Sequence, residues 1–173
     1  MITERTTRTF LGILAMVLML SNSACHSVGS AKRKDPELSA ALRQVTLFAA
    51  LTNAERTALE SAAILRHCEA GERIIEQGQH LSKMYIPMQS KAEVRVDSNL
   101  VATLSEQSLI GEIEFLDTCP ASAEVVIQKE TPLIELDNAA LTHLMKQNPR
   151  LGYTLIKEIA VIEAKRLRAM TND

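Results

Sequence analysis

The chain has 173 residues, with 46% hydrophobic residues, only 3% aromatic residues and a formal net charge of −2. This length suits one domain with a short appendage, and the hydrophobic content is sufficient for an aliphatic core. The small negative net charge provides no bulk electrostatic attraction to nucleic acid, so no nucleic-acid partner is expected.

The first 24 residues are predicted to be a signal peptide. Arg5 and Arg8 precede an apolar run from Phe10 to Leu20, which would span only about 16 Å as a helix. Because a bilayer core is about 30 Å thick, the run has the length of a signal-peptide hydrophobic region and not that of a membrane span. Small polar residues from Ser21 to Ala24 follow as a cleavage region.

Cys25 is a candidate lipidation site. Ser23-Ala24-Cys25 resembles the end of a bacterial lipobox, although Asn22 stands where leucine is usual. Lipidation, plain secretory cleavage and an uncleaved anchor remain open alternatives. The first two predict export to the periplasm, and the first adds attachment to the membrane.

Residues 25–41 are predicted to be a polar tether, and residues 42–173 the folded domain. After Leu47 to Leu51, the segment Thr52 to Glu55 has the composition of a helix N-terminus. Leu59, Ala62, Ala63 and Leu65 continue at helical spacing, which predicts a helix through residue 65.

The middle of the chain is predicted to be β structure. Turn signals occur at Gly71, at Gly78 and from Asp97 to Asn99, and Pro87 and Ser90 indicate an edge or bulged strand. Short strands at close, even spacing favour an antiparallel sandwich or barrel. The predicted strands are residues 74–75, 84–86, 92–96, 101–104, 125–127 and 133–136.

Two helices are predicted to close the chain. Asn138 is expected to cap the first, which ends near Asn148, and Pro149 begins the second, which carries a broad apolar stripe as far as Met170. This last helix, residues 150–170, is a candidate dimerisation surface. The alternative is that its apolar stripe packs on the β structure of the same chain.

The sequence has few residues or motifs that indicate metal binding or catalysis. Cys68 and Cys119 either pair as a disulfide or remain separate thiols. The four histidines show no metal-binding spacing, which disfavours a cupin-like metal enzyme. Because no nucleophile, phosphate-loop or dinucleotide motif occurs either, the protein is predicted not to be an enzyme.

One motif carries a resemblance. Residues 111–126 read G-E-I-E-F-L-D-T-C-P-A-S-A-E-V-V. This stretch resembles the phosphate-binding cassette of the cyclic-nucleotide-binding domain family, which includes the catabolite activator proteins. The resemblance implies a mainly β fold, an antiparallel, jelly-roll-like β-roll with an N-terminal helix and two C-terminal helices, over residues 42–170. The matching residues are Gly111, Glu112, Phe115, Leu116, Pro120 and Val125.

The resemblance also implies a nucleotide pocket. In the family the N-terminus of the cassette helix faces the cyclic phosphate, a glutamate takes the ribose hydroxyl and an arginine pairs with the phosphate. Glu112 matches the glutamate, but Ala121 stands at the position of the arginine. The implied site is therefore a degenerate pocket that comprises Gly111, Glu112, Ile113, Ala121 and Ser122.

Cyclic AMP and cyclic GMP are accordingly disfavoured as ligands. Nearby acidic residues would repel a phosphate, and three lysines are the candidates for a replacement charge, Lys83, Lys91 and Lys129. In family transcription factors a helix-turn-helix follows the long helix, whereas this sequence ends at Asp173, which again predicts no nucleic-acid partner.

The favoured hypothesis is a non-enzymatic regulatory module with a degenerate pocket, acting through an unidentified protein partner, a second copy of the chain or an unidentified small ligand. A functional sensor of a cyclic nucleotide or another small anion is the alternative, and a cupin-like enzyme is a third.

Overall fold

The computed structural model describes residues 35–171, apart from the side chain of Met170. The predicted signal peptide and Cys25 lie outside the described residues. Helix α1 spans Pro36–Gln44, and a short 3₁₀ helix spans Thr46–Phe48. Helix α2 spans Asn53–Leu59 and begins with a capping box in which Thr52 and Glu55 exchange hydrogen bonds, as the sequence predicted.

Helix α1 shows that the predicted tether, residues 25–41, extends too far toward the C-terminus. Residues 36–41 of that segment are helical, and Leu38 and Ala41 are buried in the core. The start signal was present in the sequence, because Asp35 caps the helix through its carboxylate and Pro36 occupies the first turn. The folded domain therefore includes residues from Asp35 onward.

Within residues 35–171, seven strands form two antiparallel sheets. One sheet has the order β1-β7-β3, and the other has the order β2-β6-β4-β5. The predicted fold class is confirmed, and all six predicted strands are present. The strands are β1 (Ala63–Cys68), β2 (Arg73–Ile75), β3 (Lys83–Pro87), β4 (Ala92–Val96), β5 (Asn99–Leu104), β6 (Glu124–Ile127) and β7 (Thr131–Asp137).

Strand β1 corrects the prediction of a helix through residue 65. Helix α2 ends at Leu59, and the chain then pairs with β7 in continuous register from Ala63 opposite Leu136 to Cys68 opposite Thr131. Local apolar spacing fits a helix, but the ladder to β7 satisfies the backbone donors and acceptors of this segment and decides its structure.

Pro87 ends β3, which lies at the edge of its sheet, in agreement with the prediction of an edge strand. At that place the missing N–H of proline does not interrupt a ladder.

The core consists of two clusters. The larger one joins the helices to one face of the β1-β7-β3 sheet and contains Phe48, Leu59 and Ile134. The smaller one lies between the sheets, because its members come from both, among them Leu133 and Ile127.

Cys68 and Cys119 are separate thiols, with Cys68 buried and Cys119 exposed. Burial raises the pKa of Cys68 to about 12.

Two helices follow β7, as predicted. Helix α4 spans Asn138–Gln147, and helix α5 spans Pro149–Thr171. The cap of α4 is Asp137 and not Asn138, since the Asp137 carboxylate accepts the N–H of Ala140 at 2.7 Å. Within the described part of the chain, no helix combines the length and the apolar character needed to cross a membrane.

Helix α5 is held to the core by its first half. Leu151, Leu155 and Ile159 are buried, whereas no described side chain of α5 after Ile159 is buried. The second half of the helix therefore depends on fewer contacts.

Candidate functional site

The cassette forms a short helix, α3 (Glu112–Asp117), that begins at a left-handed glycine. Gly111 has φ +85, and a Cβ there would lie 3.1 Å from Leu81 Cδ1 and 3.3 Å from the Lys83 carbonyl oxygen. Ile110 pairs with Tyr85 through backbone hydrogen bonds of 2.9 and 3.0 Å, which fixes the start of the cassette against β3. Glycine is needed here for both its backbone conformation and its small size.

Four of the five predicted site residues line one cavity of about 360 Å³, namely Gly111, Glu112, Ile113 and Ser122. The fifth, Ala121, does not line it. Its side chain is 3% exposed and belongs to the core cluster between the sheets. Its backbone N–H donates to the Gln79 carbonyl at 2.8 Å and its carbonyl accepts the Gly78 N–H at 2.7 Å, which ties the cassette to the turn at Gly78.

The wall of the cavity is mostly aliphatic. Strands of the larger sheet supply one side, and Leu167 of α5 lies among the lining residues as well. The aliphatic lining residues from the strands and from the start of the cassette are Ile75, Val94, Ala102, Leu104, Ile110 and Val125.

Arg166 of α5 also lines this cavity, and its guanidinium joins α5 to the cassette. Nη1 forms an ion pair with Glu112 Oε1 and donates to Glu163 Oε1 at 2.9 Å. Nη2 donates to the Leu109 carbonyl at 3.1 Å. One side chain thus binds the cassette, the loop before it and its own helix.

Glu112 is the most deeply buried charged group of the cavity, at 3% exposure. Burial raises the pKa of Glu112 to about 7 and the neighbouring Glu163 adds to this, while Arg166 acts in the opposite direction. Because Arg166 is shared with Glu163, its attraction does not offset the loss of water around the Glu112 carboxyl.

The sequence did not identify Arg166, and the three lysines proposed as replacement charges are elsewhere. Lys83 Nζ pairs with Glu135 Oε2 at 2.5 Å, and Lys91 and Lys129 are exposed and do not line the cavity. The sequence did contain a signal: Arg166 follows Leu155, Ile159 and Ile162 at helical spacing, so a charge stands where the buried stripe of α5 would continue.

Acidic groups outnumber basic ones in the cavity. Glu112, Glu114 and Glu163 line it, and Arg166 is the single cation among its lining residues. The arrangement presents an aliphatic space with a negative end whose charge is partly neutralised.

A different group of side chains bears on the cupin-like alternative. His67, Glu69 and Glu130 place their ligand atoms within 4.8 Å of one another, and all three are exposed. Exposed acidic groups commonly gather without a metal ion, so this group does not provide the buried ligand set of such an enzyme.

Comparison with known protein sequences identifies a related family. Residues 65–148 match the family model described as cyclic nucleotide-binding domain. The chain is 30% identical over 113 residues to a cAMP-dependent protein kinase regulatory subunit of Mycosarcoma maydis, which aligns 60% of this chain with 22% of that protein. Among the first curated relatives the matched part spans 10% to 33% of their lengths.

Solved structures of this kind have a similar fold. A cyclic nucleotide-binding domain from Methylobacillus flagellatus KT matches with a TM-score of 0.67 and 21% identity, over 77% of this chain and 78% of that one. The Thermus thermophilus catabolite activator protein matches with a TM-score of 0.60 and 25% identity, over 72% of this chain and 59% of that one.

The two-sheet roll, the cassette helix and the cavity beside a long C-terminal helix define a β-roll fold. The described fold is that of the cyclic nucleotide-binding domain family, and residues 65–148 are its matched region.

Proposed function

We propose that this protein is a non-enzymatic regulatory module in which the occupancy of the cavity is coupled to the position of α5. The hydrogen bonds of Arg166 to Glu112 and to the Leu109 carbonyl carry this proposal. A ligand that enters the cavity must either fit beside this guanidinium or displace it, and displacement removes the hydrogen bonds that join the second half of α5 to the cassette and to Leu109. A shift of population between two positions of α5 would then be the regulatory signal.

A cyclic nucleotide is disfavoured as the ligand on electrostatic grounds. Ala121 provides no partner for a phosphate, and Arg166 is already bonded to two carboxylates. Truncating one partner of a buried charge pair costs about 2–5 kcal/mol, or roughly 30-fold to several thousand-fold in affinity.

Isothermal titration calorimetry with cyclic AMP and cyclic GMP tests whether the pocket has lost the ability to bind a cyclic nucleotide. We expect no micromolar binding by the wild type, and micromolar binding would contradict a degenerate pocket. We also expect Ala121→Arg to gain less than about tenfold in affinity, because position 121 is buried in the core and does not line the cavity. A larger gain would mean that the pocket is an intact nucleotide site that lacks only its anchor.

The alternative, a sensor of a cyclic nucleotide or another small anion, has one observation in its favour. Arg166 is a cation within the cavity and could turn from Glu112 to a phosphate. If the wild type binds cyclic AMP and Arg166→Ala abolishes that binding, this alternative replaces the proposed function.

We further propose that a second copy of the chain is the partner at α5. Tyr153, Ile156 and Leu167 are exposed, and with Ala160 they recur at intervals of three, four and seven residues, on the side of the helix away from Leu155. This is the heptad spacing by which identical helices pair. A helix of this length offers about 34 Å for such pairing.

Light scattering tests the pairing. We expect a dimer for the wild type and a monomer for the Tyr153→Glu, Ile156→Glu double variant, whereas Lys165→Glu, which reverses an exposed charge on the opposite side of the same helix, should remain a dimer. A wild type with the mass of a monomer would exclude this surface as a stable interface.

Export to the periplasm and lipidation of Cys25 are also proposals, and their support is the sequence of residues 1–25 alone. Mass spectrometry of the mature N-terminus tests both, because a diacylated Cys25, a plain new terminus and an intact Met1 have different masses.

A further inference from the structure

The groups that hold the Arg166 guanidinium are all hydrogen-bond acceptors. They are Glu112 Oε1, Glu163 Oε1 and the Leu109 carbonyl oxygen. A group that takes the place of this guanidinium must donate hydrogen bonds and carry a positive charge. An anion lacks the positive charge, and it meets the first condition only through a donor such as a hydroxyl group.

A neutral head group is disfavoured while Glu112 is ionised, the state in which it pairs with Arg166. Glu112 is 3% exposed, and removing the partner of a buried ion pair leaves an uncompensated charge, which is strongly destabilising. The head of a ligand that replaces Arg166 beside ionised Glu112 is therefore a cation.

The remaining space defines the body of the ligand. Its walls are aliphatic, and its volume of about 360 Å³ suits a small molecule. Leu167 lies beside Arg166 in the lining, so a ligand that displaces the guanidinium would also contact α5 through an apolar side chain.

Arg166 lies beyond the last buried side chain of α5. The last buried side chain of this helix is Ile159, and the Arg166 side chain itself is 29% exposed. Releasing Arg166 consequently exposes little apolar surface. Whether a ligand or Arg166 occupies this place therefore depends mainly on the hydrogen bonds to Glu112, Glu163 and the Leu109 carbonyl.

We propose that the cavity binds an amphipathic cation, a small molecule with an aliphatic body and a guanidinium or ammonium head that replaces Arg166 between Glu112 and Glu163. This inference rests on the proposed coupling of cavity and α5, and it names the chemical class of the ligand. Arg166 then acts as an internal competitor that keeps α5 in place when the ligand is absent.

Calorimetry of Arg166→Ala with butylguanidinium chloride at pH 8 tests the inference. The matched control is Arg168→Ala, which removes an exposed arginine of the same helix that does not line the cavity. We expect the Arg166 variant to bind at least tenfold more tightly than the control and the wild type. Ethylguanidinium should bind more weakly, by about fourfold for each methylene removed, and sodium butanesulfonate should not bind.

The double variant Glu112→Gln, Arg166→Ala should lose the affinity for butylguanidinium, because the acceptor charge is gone. Arg166→Met, which keeps an apolar stem, replaces Arg166→Ala if circular dichroism shows that the latter is unfolded. Equal binding by the Arg166 and Arg168 variants, or binding of butanesulfonate as tight as that of butylguanidinium, overturns the inference.

The two proposals fail separately. If neither butylguanidinium nor cyclic AMP binds, the ligand class is wrong while the degenerate pocket stands; micromolar binding of cyclic AMP by the wild type overturns the proposed function itself.

Discussion

Replacing Glu112 by glutamine is expected to make the stability of the domain less dependent on pH. Glutamine has the size of glutamate without its charge, and Glu112 is buried. Since burial raises the pKa of Glu112 in the folded protein to about 7, the native state holds this proton more tightly than the unfolded chain does. The stability that this group contributes is therefore fully present below pH 4.5 and is lost as the pH rises through about 7.

The size of the effect follows from the two pKa values. The difference between 4.5 and about 7 corresponds to about 3 kcal/mol in the free energy of unfolding, at about 1.4 kcal/mol for each pH unit. Between pH 5 and pH 8 the wild type should lose about 2–3 kcal/mol relative to Glu112→Gln.

Urea unfolding followed by circular dichroism at pH 5, 6, 7 and 8 measures this difference for the two proteins. The subtraction cancels the contributions of other groups, among them Glu55 and Glu72, whose pKa values hydrogen bonds from Arg150 and Arg66 lower to about 2. Glu106→Gln, an exposed glutamate, is the control and should run parallel to the wild type.

A difference that stays constant with pH would refute the argument that burial dominates at Glu112. If the wild type instead gains on the variant as the pH rises, the ion pair with Arg166 outweighs burial.

Three further predictions concern the fold. Gly111→Ala should destabilise more than Gly78→Ala, because both residues have φ +85 and carry the backbone cost of about 1–2 kcal/mol, but only the Cβ at Gly111 meets neighbours; equal melting temperatures of the two variants would contradict this. Phe48→Ala should cost about 3–5 kcal/mol in urea unfolding, since Phe48 is 1% exposed in the larger core cluster, and a cost below 1 kcal/mol would mean that the site collapses around the gap. Cys119 should react with iodoacetamide in the native protein while Cys68 reacts only on unfolding, as peptide mass spectrometry can show, and equal labelling of both thiols would count against the burial of Cys68.

The sequence predicted the fold well because its signals are local. Alternating residues identify β4, and the glycines at the turns have the positive φ angles that only glycine adopts at little cost. It failed at β1, where the apolar spacing of Ala62, Ala63 and Leu65 fits a helix and the structure is decided by β7, nearly seventy residues away in the chain.

Part of the candidate site can be grouped from the sequence because its residues are close together in the chain. Gly111, Glu112, Ile113 and Ser122 lie within one motif and line one cavity. Arg166 comes from another element, and an arginine on an amphipathic helix ordinarily lies in solvent. Only the packing of α5 beside the cassette brings its guanidinium to Glu112.

The close contact between α4 and α5 affects the position of Arg166 in the cavity. Gly152 lets the helices approach so closely that a Cβ would lie 3.1 Å from Met145 Cβ. Arg166 lies about 21 Å farther along α5, so a rotation of about 5° at this contact would carry its guanidinium about 2 Å, beyond hydrogen-bond reach of its acceptors. A substitution at Gly152 that separates α4 from α5 is therefore expected to act on a cavity that Gly152 does not line.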